Sequence, residues 1–157
     1  MANAQTTQAG IIAPPPVLYL ATLGAGLCIQ AFSPQPIFHS VSLSMWLGIA
    51  FLILSSAFAR WSFVVMRQAS TTASPREVST ALVVDGPFRF SRNPIYVAMT
   101  GLYLGISFLA NAAWPLGLLG PLLLEMHFWV VLREERYLAG QFGQPYRVYQ
   151  SSVRRWL

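Results

Sequence analysis

The sequence predicts an all-α integral membrane protein with four transmembrane helices, and its composition and charge distribution support that prediction. Of its 157 residues, 55% are hydrophobic and only 10% are charged, and the mean hydropathy is +0.51. Soluble globular domains carry roughly 25% charged residues, so this composition indicates a membrane protein. The length is that of one domain, and we expect a single domain over residues 1–157.

The positions of the charges predict the topology. Charged residues occur only in two blocks, 60–92 and 125–157. The regions that precede these blocks, 1–59 and 93–124, contain none. If each uncharged region forms a helical hairpin that crosses the membrane and returns, both blocks emerge on the same face. All ten positive charges are arginine, and the positive-inside rule makes that face, with both termini, cytoplasmic. The net charge of +5 is thus a topology signal, and nucleic acid is not an expected partner.

The first hairpin is predicted from two apolar runs, at 12–32 and 43–60, each long enough to cross the hydrocarbon. The sequence also allows the second helix to continue to Met66 as an interfacial helix. Three prolines stand at the entrance of the first span, where missing N–H groups cost least. Gly24 and Gly26 lie within that span, and small residues there favour close helix packing. The leader "MANAQTTQAG" has no positive charge, so we expect a retained span and not a cleaved signal peptide.

The second hairpin is predicted at 94–110 and 116–132, with "NAAWP" as the return and a kink at Pro121. The preceding segment, 61–93, is predicted to be a cytoplasmic loop, and its part 67–93 is expected to be irregular because it is rich in Ser, Thr, Pro and Gly. The remaining residues, 133–157, form a cytoplasmic tail.

The tail is predicted to contain an amphipathic helix that lies on the membrane surface or packs on the loop. Its apolar residues recur at spacings of three and four, the period of one helix face; they are Phe142, Tyr146, Tyr149, Val153 and Trp156. Arg154 and Arg155 are expected to face lipid headgroups.

The stretch "DGPFRFSRNPIY", residues 85–96, is the densest mixture of functional residue types in the chain. Asn93 is a favoured N-cap and Pro94 a favoured first helical residue, so a helix N-terminus with free N–H groups is expected there. Aromatic rings and arginines surround it, and Glu134 and Glu135 would face it from the end of the fourth span. This inventory suits a zwitterionic, nucleotide-like ligand.

Two long segments carry a family resemblance: "ALVVDGPFRFSRNPIYVAMTGLYLG" and "EERYLAGQFGQPYRVYQSSVRRW". They follow the patterns L-V-x-x-G-P-[YF]-x-x-x-R-[HN]-P-x-Y and E-E-x-x-L-x-x-x-F-G-x-x-Y-x-x-Y-x-x-x-V-x-R. Both occur in order, separated by an apolar hairpin, and together they cover about the C-terminal half. The chain resembles the superfamily of membrane methyltransferases that includes isoprenylcysteine carboxyl methyltransferases and phospholipid N-methyltransferases.

The resemblance implies that S-adenosylmethionine is bound at the cytoplasmic end of the bundle by the loop and the C-terminal helix. A lipid or other lipophilic acceptor would arrive sideways from the bilayer. By motif position the cofactor-binding residues would be Leu82, Val83, Gly86, Phe88, Arg92, Asn93, Pro94, Tyr96, Glu134 and Glu135. Arg92 has an alternative role as an ordinary interfacial arginine that reaches lipid phosphates. No metal site is predicted.

The catalytic residues are left open among Glu125, His127 and Arg133. Many relatives have His in place of Asn93, and Asn cannot serve as an acid or base near neutrality. In prenylcysteine enzymes an arginine before the glutamates engages the acceptor carboxylate; the nearest candidate here is Arg133. Glu125 and His127 lie at membrane depth, where ionisable groups are costly and usually functional.

His127, seven residues before Glu134, is expected to share its helix face, and one of the two deep groups would accept a proton if the acceptor were an amine. A neutral interhelical hydrogen bond is the alternative, since a carboxylate or thiolate acceptor would need no base. Another class of function remains open: a small four-span, proton-coupled transporter with Glu125 as the coupling carboxylate in a homodimer. That alternative would leave both motif segments without a role.

Overall fold

The computed structural model describes residues 14–71 and 80–157, and it contains helices and turns without any strand in those residues. The all-α prediction is therefore confirmed. The helices, in chain order, are α1 (Pro15–Phe32), α2 (Val41–Gln68), α3 (Pro94–Leu109), α4 (Ala113–Glu125), α5 (Leu132–Phe142) and α6 (Gln144–Ser152). A 3-10 turn over Gly86–Arg89 precedes α3, and a π-helical turn over Met126–Val131 joins α4 to α5. The start of the first predicted span and part of the predicted loop, 72–79, lie outside the described residues.

Helix α2 extends beyond its predicted end. Its N-terminus is capped by Ser40, whose Oγ accepts a hydrogen bond from the Leu43 N–H at 3.3 Å. After Gly48 the sequence has no glycine or proline through Gln68, and the helix continues to that residue. The helix thus includes the expected continuation to Met66 and two residues, Arg67 and Gln68, of the segment that was expected to be irregular.

The second hairpin also differs from the prediction at its C-terminal end. Helix α3 begins at Pro94 as expected, but the fourth span starts at Ala113 and continues without a break through the π turn to Phe142. Pro121 lies inside α4, and the change in helix type comes five residues later. The helix therefore runs through the predicted boundary at 132–133, and the first ten residues of the predicted tail continue the helix of the span.

The turns of both hairpins meet at one end of the bundle. Asn111 Oδ1, between α3 and α4, accepts hydrogen bonds from the backbone N–H groups of Ile37 and Phe38, between α1 and α2, at 3.1 and 3.0 Å. The Ala113 N–H donates to the Gln35 carbonyl at 2.9 Å. The start of α3 and the acidic pair of α5 consequently lie at the opposite end, which we call the arginine-rich end.

Helix α3 lies between α2, along which it packs, and α1, which in turn packs along α4. The core between α1, α3 and the fourth helical stretch contains Tyr19, Leu23, Tyr96, Tyr103, Leu122, Met126, Val130 and Val131. Three helical stretches, 15–32, 41–68 and 113–142, are long and apolar enough to cross a membrane, whereas α3 is an apolar helix of only 16 residues. The chain is an integral membrane protein.

Glycines allow α2 and α3 to approach closely. A Cβ added to Gly48 would lie 2.7 Å from both the backbone nitrogen and the Cγ of Leu109, so the contact has no room for one. Gly26 likewise lies against Pro115, at 2.8 Å from its Cα, as its predicted packing role requires. Gly24 has no atom within 4 Å of its added Cβ, so its predicted packing role is wrong.

We expect Gly48→Ala to lower the free energy of unfolding by about 1–3 kcal/mol, because the new methyl group would force α2 away from the α3 backbone. Thermal unfolding of the detergent-purified protein, followed by circular dichroism, measures the effect. Gly24→Ala is the matched control, since it adds the same methyl group to open space in another helix. Equal melting temperatures for the two variants would contradict the close approach of α2 and α3.

Candidate functional site

At the arginine-rich end, the C-terminal segment 153–157 folds back onto the residues that precede α3. The Arg92 N–H donates to the Arg154 carbonyl at 2.9 Å, and Asn93 Nδ2 donates to the Arg155 carbonyl at 2.9 Å. Asn93 occupies the N-cap position of α3, but its side chain makes no capping hydrogen bond. Its predicted capping role is therefore wrong: the amide instead holds the C-terminal segment in place.

Tyr96 and Glu134 join α3 to α5. The Tyr96 hydroxyl donates a hydrogen bond to Glu134 Oε2 at 2.9 Å. Tyr96 is buried, whereas Glu134 is partly exposed. One turn further along α3, the Thr100 hydroxyl donates to the Tyr96 carbonyl and lies 2.8 Å from the Tyr19 hydroxyl. Residues of α1, α3 and α5 therefore form one polar cluster beside an otherwise apolar core.

Glu135, only 7% exposed, lies between two arginines. Arg155 donates to both carboxylate oxygens, from Nε to Oε1 at 2.7 Å and from Nη2 to Oε2 at 2.9 Å. Arg92 Nη1 lies 3.1 Å from Oε1, and the Arg92 side chain is 8% exposed. The hydrogen bond from Arg155 to Glu135 raises the pKa of the Arg155 guanidinium above its ordinary value. Because Arg155 binds a buried carboxylate, its predicted exposure to lipid headgroups is wrong.

The π turn before α5 determines which residues share a face with the acidic pair. Hydrogen bonds in a π turn join residues five apart, so the turn holds more residues than an α-helical one. The residues after Met126–Val131 are therefore rotated relative to a straight α-helix. The expected alignment of His127 with Glu134, which assumes a straight helix, does not apply. Short π segments inside α-helices occur frequently at functional sites.

Aromatic residues of the loop and of α6 form a second cluster beside the two acids. Phe88, Tyr146 and Tyr149 are buried together, with Leu82 and Val83 packed against them. The Tyr149 hydroxyl donates to the Phe88 carbonyl at 2.7 Å. Burial raises the pKa of Tyr146 to about 12, so its hydroxyl stays neutral at physiological pH. The amphipathic C-terminal helix thus packs on the loop, one of the two placements that the sequence allowed.

Gly86 allows the loop to pass close to α2. Its φ of +60° belongs to the left-handed region that favours glycine. A Cβ there would lie 2.9 Å from Val65 Cγ2 and 3.1 Å from Trp61 Nε1. Phe90, one of the aromatic residues of the stretch 85–96, is 61% exposed and lies near Trp61, with the ring centroids 6.3 Å apart.

The three catalytic candidates lie in three different environments. The guanidinium carbon of Arg133 lies 5.0 Å from the centre of the Trp129 ring, a cation–π distance. Glu125 is an exposed side chain at the end of α4. His127 lines a large apolar groove. No hydrogen bond or ion pair joins Glu125 or His127 to Glu134 or Tyr96 in the described residues.

The groove has a volume of about 1190 Å³ and lies between α2, α3 and α4. Its walls include Phe51 and Leu54 of α2, Val97 and Gly101 of α3, and Leu124 of α4. Thr100, Trp156 and His127 also line it. Thr100 belongs to the polar cluster around Tyr96, and Trp156 follows the arginine that binds Glu135. The groove thus begins beside the charged site and continues along the membrane-spanning helices.

The family model described as phospholipid methyltransferase matches residues 43–145. The chain belongs to this family. The match covers α2 through the start of α6 and includes both acids, Tyr96 and the loop before α3. It confirms the resemblance inferred from the two motif segments and makes the protein a membrane methyltransferase. No curated protein and no solved structure matches the chain.

The family match includes the first motif segment and the start of the second, to which a transporter would give no role. The transporter alternative required Glu125 as a coupling carboxylate in a homodimer. Nothing in the structure or the comparisons supports that alternative.

Sequence reasoning missed several residues of the site. Arg155 ends the second motif, and that V-x-R ending was the available signal for its role. Tyr146 also lies in the motif, but it was assigned only to the apolar face of a helix. Tyr19 contacts Thr100, 81 residues away in sequence, and no local pattern indicates such a distant contact.

We expect Glu135→Gln to lower the free energy of unfolding by about 3–5 kcal/mol, because it leaves the buried Arg92 guanidinium without an anion. Unfolding of the detergent-purified protein by denaturant measures the change. Asp85→Asn is the control: it removes the Asp85–Arg89 pair, whose side chains are about 70% exposed, and should cost at most about 1 kcal/mol. If both variants lower the free energy of unfolding equally, the ion pairs of Glu135 do not stabilise the fold more than an exposed pair does.

Proposed function

We propose that this methyltransferase uses S-adenosylmethionine as methyl donor and binds it at the arginine-rich end. The observation that supports this most is the meeting of Tyr96, Glu134 and the Arg92–Glu135–Arg155 cluster next to an apolar groove. The donor carries an ammonium, a carboxylate, ribose hydroxyls, an adenine ring and a sulfonium. The site offers chemical partners for the carboxylate, the ammonium, the ribose hydroxyls and the adenine ring.

The residues present fit such a donor. Arg92 Nε is buried and makes no hydrogen bond in the described part of the chain, so it is a candidate to bind the donor's carboxylate. Glu134 Oε2 already accepts from Tyr96, and a carboxylate has capacity for further donors such as an ammonium or a ribose hydroxyl. Phe88, with Leu82, Val83 and Gly86 beside it, would supply an apolar surface for the adenine ring.

We propose different contributions for the remaining candidates. Asn93 and Pro94 would position the start of α3, and Glu135 would orient Arg92 and Arg155. His127 is the one ionisable side chain among the described residues that line the groove. It would accept the proton if the acceptor is an amine. Glu125 and Arg133 receive no catalytic role.

The acceptor would be a lipid or another amphiphile with a carboxylate, amine or thiol nucleophile. Its apolar part would occupy the groove between α2 and α4, and its head would reach the site near Thr100. The donor supplies an electrophilic methyl group, so the protein needs to provide alignment and exclusion of water. Such positioning can contribute about 7–11 kcal/mol when it is ideal. The arginine-rich end and both termini would be cytoplasmic, as the arginine distribution favours, and residues 1–157 would form one domain.

We expect Glu134→Gln and Tyr96→Phe each to weaken donor binding by about tenfold or more, the effect of removing a charged or buried hydrogen-bonding partner. Isothermal titration of the detergent-purified protein with S-adenosylmethionine provides the measurement. Tyr103→Phe is the matched control, because it removes a buried hydroxyl that bonds the Pro115 carbonyl outside the site. If the folded wild type binds no donor at millimolar concentration, the proposal is wrong.

We expect Gly120→Phe to lower kcat/KM for a lipid acceptor at least tenfold while donor affinity stays unchanged. Gly120 lines the groove and has no atom within 4 Å of an added Cβ, so the ring would fill the groove without a backbone clash. Gly117→Phe is the control, since Gly117 lies in equally open space on α4 but does not line the groove. Transfer of a labelled methyl group to membrane lipids, with mass spectrometry of the product, gives the rates and identifies the acceptor. Similar rates for both variants would exclude the groove as the acceptor site.

A further inference from the structure

The last two turns of α2 carry an exposed face that the proposed reaction does not use. Arg60, Phe63, Val64 and Arg67 follow the spacing i, i+3, i+4, i+7, so they share one side of the helix. All four side chains are exposed. We call this set the α2 terminal face.

The length of α2 places this face at the membrane surface. The helix has 28 residues and is therefore about 42 Å long, whereas the hydrocarbon core of a bilayer is about 30 Å thick and the whole bilayer about 40–45 Å. If α2 enters the hydrocarbon at Val41, Arg60 lies at its far boundary. Arg67 lies about 10 Å beyond Arg60, within the headgroup layer.

The charge of the face is complementary to lipid phosphates. Neither Arg60 nor Arg67 is in an ion pair within the described residues, where the three pairs present involve other arginines. The exposed rings of Phe63 and the neighbouring Trp61 are apolar groups of the kind that lie at the membrane interface. Arginine near a membrane surface is attracted to anionic lipids by about 1 kcal/mol per residue, or about fivefold in relative binding.

The opposite side of the same two turns supports the loop before α3. Val65 and Met66 pack against the aromatic cluster that contains Phe88. Val65 also limits the space at Gly86, so the loop rests directly on the helix. Any interaction that stabilises the end of α2 therefore also stabilises the loop that we propose to contact the methyl donor.

We propose that the α2 terminal face binds the phosphate groups of anionic membrane lipids and that this binding strengthens methyl-donor binding through the loop. Arg60 and Arg67 contact the phosphates, while Phe63 and Val64 contact the upper parts of the lipid chains. The second half of this inference rests on the proposed function, whereas the lipid-binding half does not depend on it.

The lipid-binding half is tested with the full chain in phosphatidylcholine bilayers and no methyl donor present. Electron paramagnetic resonance of spin-labelled phosphatidylglycerol and phosphatidylcholine gives the relative affinity of the protein for each lipid. We expect the wild type to prefer phosphatidylglycerol several-fold. The double substitution Arg60→Gln with Arg67→Gln should reduce this preference by at least fivefold or to near unity, and Arg60→Lys with Arg67→Lys should largely retain it.

The matched control is Arg136→Gln with Arg147→Gln, which removes two exposed arginines from α5 and α6 and gives the same net charge. It should keep most of the preference. A double glutamine variant of α2 that still prefers phosphatidylglycerol as the wild type does would overturn the inference, as would a control that loses the preference equally. If the double variant does not fold, Arg67→Gln alone, which lies outside the hydrocarbon, must lower the preference.

The second half is tested by titrating S-adenosylmethionine into protein held in phosphatidylcholine bilayers with and without phosphatidylglycerol. We expect at least a threefold tighter dissociation constant with the anionic lipid, and no such gain in the double glutamine variant. Equal donor affinity in both bilayers would overturn the coupling between lipid and loop. Donor binding in neither bilayer would remove the proposed function, while the spin-label result would still decide whether the face binds lipid.

Discussion

The buried carboxylate of Glu135 connects three segments that are far apart in sequence. It belongs to α5, and its partners are Arg92, two residues before α3, and Arg155, in the C-terminal segment. A carboxylate with such limited contact with water needs cationic partners, and an arginine as buried as Arg92 needs an anion. This mutual requirement fixes the end of the fourth helical stretch, the start of α3 and the C-terminal segment at one place.

The rest of the site depends on that arrangement. Once α3 and α5 are adjacent, the Tyr96 hydroxyl reaches Glu134, and the backbone of the C-terminal segment lies within reach of Asn93. The C-terminal segment also places Trp156 at the groove. One electrostatic cluster therefore brings the charged region and the apolar groove together, the two environments that the proposed reaction requires.

The unequal lengths of the helices give the arginine-rich end its shape. Helix α3 has 16 residues, whereas α2 has 28 and the stretch from α4 to α5 has 30. The two longer elements extend beyond the start of α3, where the loop rests on Val65 of α2 and the C-terminal segment binds Glu135 of α5. The loop can lie close to α2 because Gly86 adopts a positive φ and has no side chain.

The sequence alone determined the class of protein, the four apolar helices and the family, because composition, charge segregation and motif spacing are local or additive properties. It also predicted that the stretch before α3 and the acids after the fourth span would be neighbours. Only the tertiary structure decided that Arg155 pairs with Glu135, that Asn93 holds the C-terminal segment and that Tyr19 joins the polar cluster. Packing between segments that are distant in sequence determines such partners, and neither helix periodicity nor a capping rule specifies them. The observed end of α2 at Gln68 lies two residues beyond the expected continuation to Met66, because the polar residues from Arg67 onward indicated a loop whereas helix propensity and packing against the loop favoured a helix.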